Sequence, residues 1–453
     1  MARNGSSPLA DRLAEPGWLA SLAFAAITTA LVCYPVWPGL MSYDSIFAYQ
    51  QAHYGVQTML WPPLHTYMFQ LSEALGAGAG GVFVFQTFLL FASAAVILHL
   101  LVRSRSVALG LCVGFGLLIA LSPAVLGPML VHWRDVPTAS FALLGVALWL
   151  LAARYGQPLI LLPAAAAFGC AVALRYNAFA LVAFVLLLLV WSPMLGRLAR
   201  FARPFAALCL VLALGAAWAS TQWRLPDLLR MPAPASFGGT QEFDLIGISA
   251  CADRNYIPEG VTGGPISPYH IRKNYDPRHL HLTLRDKPGV AKIYETDGGG
   301  QVQKAWLPAI MAEPGCYLSH RLTVFVEQMG LSDQGLFYPT HITIDRNGFG
   351  LALAHPKAAN VVTGYVVSRA GDIWRRPAWL YVLAVVLGGL AALRERTHAP
   401  LLGALLAGAL AYAGLLFVAS PAADARYIFP SNTVCALIAL ISLGLLVSRP
   451  GRG

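Results

Sequence analysis

Aspartate and arginine side chains stand beside the ends of several long apolar stretches of the sequence. Asp44 follows the first stretch, Arg134 and Asp135 precede the fourth, and Asp424 and Arg426 precede the last. Carboxylates act as general bases, and guanidinium groups bind phosphate through charge-assisted hydrogen bonds. Gathered in one place, these side chains would bind an anionic group and hold a base beside it.

A simpler interpretation exists for Asp44, Asp135 and Arg134. Asp44 comes just before a short interfacial helix predicted over residues 46–54, and Asp135 stands where an apolar stretch begins. Each is therefore placed to cap a helix. Arg134 would then be an interfacial arginine whose charged head reaches water.

Two further polar groups have similar alternatives. Arg175-Tyr176-Asn177 separates two short apolar stretches and is either a wet turn or part of the same site. Asp424 and Arg426 could form only a local ion pair, which contributes about 0–1 kcal/mol when it is exposed.

The paired prolines of Trp61-Pro62-Pro63-Leu64-His65 predict an extended entry into a helix from Thr66 onward. Trp61 suits a membrane interface. His53 and His65 flank this stretch, and each is either a ligand-binding group or a hydrogen-bonded surface residue.

The elements that must position these residues are membrane-spanning helices. Of the 453 residues 57% are hydrophobic and 11% are charged, whereas a soluble domain carries about 25% charged residues. The apolar residues fall in blocks of about 20, the length that crosses a bilayer. An ordinary soluble protein and a disordered chain are therefore excluded. The net charge of +10 does not indicate a nucleic-acid partner, because the arginines stand at block ends rather than on one basic face.

About ten blocks are expected to cross the membrane, and the pair around Arg175 is the least regular. They predict an all-α polytopic protein with an N-terminal membrane part (1–223, first exported loop 38–80), an inserted segment (224–377) and C-terminal membrane helices (378–453). The predicted spans are 18–37, 82–102, 107–130, 136–153, 159–174, 178–191, 205–223, 378–393, 400–419 and 428–447.

The arginines predict the orientation. With a cytoplasmic N-terminus, the short loops on the far face hold only Arg134, Arg175 and Arg426, which is the positive-inside pattern. Both termini are therefore expected in the cytoplasm, and the inserted segment on the periplasmic face of a bacterial inner membrane. The three aspartates named above then lie at the depth of the three arginines. Ionised groups at the edge of a membrane bundle are costly to desolvate, so this shared depth favours a functional site.

The inserted segment is expected to be a small exported α/β domain. Asp345-Arg346-Asn347-Gly348, between two apolar runs, predicts the turn of a β-hairpin. The periodicity of Tyr317–Met329 predicts a helix. Its apolar face would be formed by Leu318, Leu322, Phe325 and Met329.

Two of the seven cysteines, Cys251 and Cys316, lie in the inserted segment. In an oxidising periplasm they are candidates for one disulfide, and two separate buried thiols are the alternative. No CxxC or HxxxH pattern typical of a zinc site occurs in the sequence.

Several of these motifs resemble the GT-C superfamily of membrane glycosyltransferases, which use polyprenyl-phosphate sugars. An aspartate in the first exported loop, a short helix with tyrosine and a Pro-Pro-Leu element are typical of these enzymes. One departure is Ser45, because protein O-mannosyltransferases have a glutamate after the first-loop aspartate. The matching residues are Tyr43-Asp44-Ser45, Tyr49, Pro62-Pro63-Leu64, Arg134-Asp135, Arg175-Tyr176-Asn177 and Asp424-Ala425-Arg426-Tyr427-Ile428-Phe429-Pro430.

The resemblance implies an inverting glycosyltransferase that moves a sugar from a polyprenyl-phosphate donor to an acceptor hydroxyl on the periplasmic face. Asp44 would be the general base. Asp135 would be a second catalytic carboxylate that positions the acceptor, holds an arginine or binds a divalent cation. The residues expected to bind the donor are Tyr43, His53, Trp61, His65, Arg134, Arg175, Asn177, Asp424, Arg426 and Tyr427.

The expected partners are the lipid-linked donor, membrane lipids and a glycan, lipid or protein acceptor. A metal is left open, because a monophosphate leaving group does not require one. The alternative function is a polytopic transporter or flippase of a lipid-linked or anionic glycan. Transporters usually carry ionisable groups on broken helices at the midplane and show inverted repeats, whereas these spans are almost free of charges and no repeat is evident.

Overall fold

The protein is described here by a computed structural model, which covers residues 16–56, 63–102, 104–222, 238–262, 264–279 and 300–448. The predicted helical fold is confirmed, and a helix lies at each of the ten predicted blocks. The α-helices of the membrane part, including those between the blocks, are α1 Pro16–Cys33, α2 Tyr43–Tyr54, α3 Pro63–Ala74, α4 Gly78–Leu101, α5 Arg105–Leu121, α6 Pro123–Met129, α7 Asp135–Tyr155, α8 Leu161–Leu174, α9 Ala178–Leu189 and α10 Ala199–Gln222. The inserted segment and the C-terminal part contain α11 Gly238–Ala252, α12 Glu259–Thr262, α13 Pro268–Asn274, α14 Gln301–Ala312, α15 Pro314–Gln328, α16 Pro356–Arg369, α17 Pro377–Arg394, α18 Ala399–Ala419 and α19 Phe429–Val447.

The number of helices long enough to cross a bilayer is smaller than ten. Among the described residues six helices are sufficiently long and apolar, or seven if α5 and α6, which meet at 88°, form one bent span. Pro158–Leu174 and Ala178–Leu189 are apolar but shorter. The helix positions are thus confirmed, whereas length and composition support six or seven crossings.

The membrane helices pack around one large apolar core. Helix α9 lies against α18, α7 lies between α4 and α8, and α17 lies against α19. Small residues allow the close approaches that stabilise helix pairs in lipid. At Gly408 of α18, an added Cβ would lie 2.8 Å from the carbonyl oxygen of Leu181 in α9.

Local sequence sets the helix ends that position the polar loops. Pro123 begins α6 directly after Ser122, because proline is tolerated in the first turn but breaks a continuing helix. The bend after α5 places the buried helix α6 against residues 425–428 and α19. Gly55 ends α2 in the left-handed conformation, which glycine adopts without steric cost.

The prediction of an α/β inserted domain is wrong. Its described residues form helices and no strand, with only isolated β-bridges, at Met41↔Ile344 and His279↔Ala422. The predicted hairpin around Asp345-Arg346-Asn347-Gly348 is instead an irregular turn held by Asn347. Its side-chain oxygen accepts from the backbone N–H groups of Phe349 and Leu351, so a side chain replaces the expected strand ladder.

Helix α15 is present where a helix was predicted, but only Phe325 and Met329 of its predicted apolar face pack on the apolar core. Leu318 and Leu322 are more than half exposed. The buried face carries His320, Arg321 and Gln328, because these polar groups find partners within the inserted segment and at Ser420, which follows α18. Arg321 Nε lies 2.7 Å from Asp244 Oδ1, and Arg321 Nη1 donates to the carbonyl of Ser420 at 2.6 Å.

Cys251 and Cys316 are joined by a disulfide bond with a Cα–Cα distance of 5.6 Å. The bond connects the C-terminal end of α11 to the first turn of α15. It cross-links two helices that share a small apolar core, to which α11 contributes Phe243 and α15 contributes Val324.

Candidate active site

The first loop is held against the loop before α7 by backbone and side-chain hydrogen bonds. The Leu40 N–H donates to Leu130 O, and the His132 N–H donates to Leu40 O, both at 2.9 Å. Trp133 Nε1 donates to Ser42 Oγ at 2.9 Å. These bonds fix the start of α2, which carries Asp44, beside the start of α7.

Asp44 does not cap its helix. Ser42 occupies the cap position, and Asp44 lies in the first turn. Its Oδ2 lies 2.7 Å from Nη1 of Arg426, although the two residues are far apart in the chain. The carboxylate side chain remains 29% exposed, so the pair is open to solvent or a ligand on one side.

Arg426 also contacts Asp424, with 3.2 Å between Nε and Oδ2. The predicted local ion pair is therefore present, but it is part of a larger group with Asp44. Asp424 is nearly fully buried. Burial raises the pKa of its carboxyl, and the positive charge of Arg426 opposes that rise.

Asp135 and Arg175 form a second ion pair. Arg175 Nη1 donates to Asp135 Oδ1 across the α7–α8 interface, and Arg175 Nε donates to Asn177 Oδ1 at 2.9 Å. Both side chains are buried. Burial lowers the pKa of Arg175 to about 10, so the guanidinium remains protonated at neutral pH.

Aromatic rings join the two ion pairs. The guanidinium carbons of Arg175 and Arg426 lie 4.5 and 5.1 Å from the centroid of the Tyr427 ring. Arg426 also lies 4.9 Å from the centroid of the Trp133 ring. Such cation–π contacts hold the guanidinium planes in place without neutralising their charge.

Arg134 completes the cluster. It lies between Trp133 and Asp135, and its charge interacts with those of Asp44 and Arg426. Burial lowers the pKa of Arg134, and Asp44 opposes this effect. Three arginines and three aspartates from distant parts of the chain thus meet at one end of the bundle.

The other residues predicted to bind the donor are Tyr43, His53, Trp61 and His65. Tyr43 is exposed, with its ring beside that of Phe47. His53 lies about 14 Å from Asp44 along the axis of α2, where its Nδ1 is 3.3 Å from Glu73. Trp61 falls outside the described residues.

His65 is buried against the ring of Phe69, near His132 and within range of the charge of Arg134. Burial lowers the pKa of His65 to about 3. It is therefore neutral at pH 7 and adds no positive charge for an anionic ligand.

Sequence reasoning missed two groups at this site. Trp133 stacks on Arg426, and its position next to Arg134-Asp135 was the available signal. Tyr338 of the inserted segment packs on Trp133 with 5.6 Å between ring centroids. No local pattern marks Tyr338, because it comes from an irregular segment about 200 residues further along the chain.

The cluster is suited to bind a phosphate ester. Its formal charges balance without a ligand, so an incoming anion must compete with aspartate for the arginines. Within the described ranges no three His, Cys, Asp or Glu side chains are grouped as a metal site would require. Arginine is the residue type that offers several donors to a phosphate.

Comparisons with known proteins give one structural likeness. No protein-family model and no curated protein matches the chain. The chain is similar to ArnT from Cupriavidus metallidurans, solved as a crystal structure bound to undecaprenyl phosphate, with 13% sequence identity over 96% of this chain and 78% of that one. The TM-score of this likeness is 0.33.

Proposed function

We propose that the protein is an inverting glycosyltransferase that moves a sugar from a polyprenyl-phosphate donor to an acceptor hydroxyl on the periplasmic face. The observation that carries this proposal is the contact of Asp44 with Arg426 in a half-open cluster that also contains Arg134 and Arg175. A base and several phosphate-binding groups are thereby within reach of one substrate.

In the proposed reaction the acceptor oxygen attacks the anomeric carbon while the bond from that carbon to the phosphate oxygen breaks. The electron pair of the broken bond stays on the lipid phosphate. Asp44 takes the proton of the acceptor hydroxyl as general base. Arg426 and the neighbouring Arg134 stabilise the charge that develops on the phosphate, which is where such donors contribute most to catalysis.

The ion pair between Asp44 and Arg426 gives the donor a second role. While the two are paired, Oδ2 of the carboxylate is occupied by the guanidinium of Arg426. A donor phosphate that binds Arg426 competes with this contact and releases Asp44 for the acceptor. Asp135 is buried and its Oδ1 accepts from Arg175, so this carboxylate is better suited to hold that arginine than to contact substrate.

The test supplies radiolabelled decaprenyl-phosphate pentoses and hexoses to the purified protein in lipid nanodiscs, with an extract of bacterial envelope lipids and glycans as the acceptor source. The wild type is expected to release decaprenyl phosphate, and Asp44→Asn to lower the rate about 10²–10⁴-fold, the usual contribution of a general base. Asp253→Asn is the matched control, because Asp253 is an exposed aspartate of the inserted segment that pairs with Arg272.

Equal turnover by the wild type and Asp44→Asn would remove Asp44 as the base. Tight binding of the labelled donors without any turnover would instead favour the transporter or flippase alternative.

A further inference from the structure

A second polar group from the inserted segment adjoins the arginine cluster. The hydroxyl of Tyr338 lies 2.6 Å from Nδ1 of His341, and Nε2 of His341 lies 3.0 Å from Oδ1 of Asp345. The three side chains therefore form a continuous chain of hydrogen bonds. None of them is required by the ion pairs described above.

The segment that carries these residues is attached to both loops of the candidate active site. Met41 lies three residues before Asp44. Its N–H donates to Thr343 O at 3.1 Å, and its carbonyl oxygen accepts from the Asp345 N–H at 2.9 Å. The Ala425 N–H, beside Arg426, donates to Phe337 O at 3.1 Å. Residues 337–345 thus connect the loop of the proposed base to the loop of the proposed phosphate-binding arginine.

The backbone at Tyr338 is in an unfavourable conformation. Its φ is +47°, and Asp253 is the only other non-glycine residue with positive φ in the described part of the chain. Such a conformation costs about 1–3 kcal/mol and persists where surrounding contacts impose it, often at functional sites. Here Thr340 Oγ1, which donates to Gly127 O at 2.9 Å, helps to hold the segment on α6.

The hydrogen-bond chain fixes which atoms Tyr338 offers to a ligand. In the tautomer whose Nε2–H donates to the carboxylate of Asp345, Nδ1 of His341 accepts from the Tyr338 hydroxyl. The phenol proton is then directed toward His341. The phenol oxygen keeps its lone pairs as acceptors, and Tyr338 is 36% exposed as a residue, so its ring offers an apolar face.

The Tyr338 hydroxyl lies in the field of the proposed catalytic residues. Its charge interactions are with Arg426, Asp424, Asp345 and Asp44. Burial raises the pKa of Tyr338 to about 12, so the phenol keeps its proton at neutral pH. Its ring packs on Trp133, which in turn stacks on Arg426.

We propose that Tyr338, oriented by His341 and Asp345, binds the acceptor, a carbohydrate whose hydroxyl donates to the phenol oxygen while its C–H face packs on the exposed ring. This inference rests on the proposed function, because it assigns the acceptor side of the same site. The inserted segment then supplies acceptor recognition, and the membrane part supplies the base and the arginines.

The test measures binding rather than turnover. Methyl glycosides of glucose, galactose, mannose and N-acetylglucosamine are added to the full-length protein in nanodiscs, and saturation-transfer NMR detects which of them bind. We expect at least one glycoside to bind the wild type, Tyr338→Phe to weaken that binding at least fivefold, and His341→Gln to weaken it similarly. Tyr256→Phe is the matched control, because it also removes a hydrogen-bonded phenol, which donates to Glu313 within the inserted segment.

Binding of decaprenyl phosphate is measured on the same samples, so the two proposals can fail separately. Tyr338→Phe should leave that binding unchanged. If no methyl glycoside binds the wild type, or if Tyr338→Phe binds the glycosides as the wild type does, the acceptor assignment is wrong even where the lipid binds. If glycosides bind through Tyr338 but the lipid does not bind, the carbohydrate site at Tyr338 stands and the glycosyltransferase proposal fails.

Discussion

The two ion pairs of the cluster differ in exposure and in the number of partners. Asp135 and Arg175 are buried, and the carboxylate of the one is paired with the guanidinium of the other. Asp44 is 29% exposed, and Arg426 is shared between Asp44 and Asp424. The buried pair is therefore suited to hold helices together, whereas the open pair can exchange one partner for a ligand. Ionised side chains at one depth of a membrane protein need not share one role.

Removal of the Asp135 carboxylate should destabilise the protein far more than removal of the Asp44 carboxylate. Asp135→Asn leaves the Arg175 charge buried without its counterion, and we expect a loss of about 3–5 kcal/mol in unfolding free energy. Asp44→Asn should cost about 0–1 kcal/mol, because that pair is partly exposed and Arg426 keeps Asp424. Thermal unfolding in detergent micelles measures both.

The double variant Asp135→Asn/Arg175→Gln is the control for this prediction. It removes the uncompensated charge and should recover much of the stability lost in Asp135→Asn. A single variant Asp135→Asn as stable as the wild type would show that the buried pair has no structural role.

Donor affinity should depend on pH through Asp424. Burial raises the pKa of its carboxyl, and Arg426 opposes the rise. A donor phosphate on Arg426 would weaken that opposition and raise the Asp424 pKa further, so binding takes up a proton. Affinity should then increase as the pH falls and decrease by at most about tenfold per pH unit as it rises.

The probe for this prediction is a decaprenyl-phosphate hexose, because its phosphodiester does not titrate near neutral pH. Isothermal titration at several pH values should show the slope in the wild type and a flat profile in Asp424→Asn. His279→Gln is a necessary control, because His279 also interacts with the charge of Asp424. A slope that disappears in His279→Gln and persists in Asp424→Asn would assign the proton to the histidine.

The sequence was sufficient to locate the helices and the residues of the cluster. Apolar blocks are dictated by the bilayer, so the helices coincide with them, and the positive-inside pattern put Asp44, Asp135, Asp424 and the three arginines at one depth. The actual pairing could not be derived. Whether Arg426 meets Asp44 or Asp135 depends on how α2, α7 and residues 425–428 pack together.

The inserted segment was harder to predict, because it too depends on how distant parts of the chain pack together. Its fold depends on contacts distant in sequence, such as that of Arg321 with Ser420, and not on a repeating apolar pattern. Short apolar runs near Asp345 suggested a hairpin, but the Asn347 side chain and the backbone of Met41 take up their hydrogen bonds. Tyr338 and His341 were missed with them.

A double-mutant cycle on Asp44 and Arg426 tests the central claim most directly. The rate of decaprenyl phosphate release is measured as kcat/KM for Asp44→Asn, Arg426→Gln and the double variant. Residues that act on one substrate in one site show strongly non-additive effects. We predict that the double variant is no more than about tenfold slower than the slower single variant. Losses that simply multiply would mean that the two residues act independently, which would contradict a shared site.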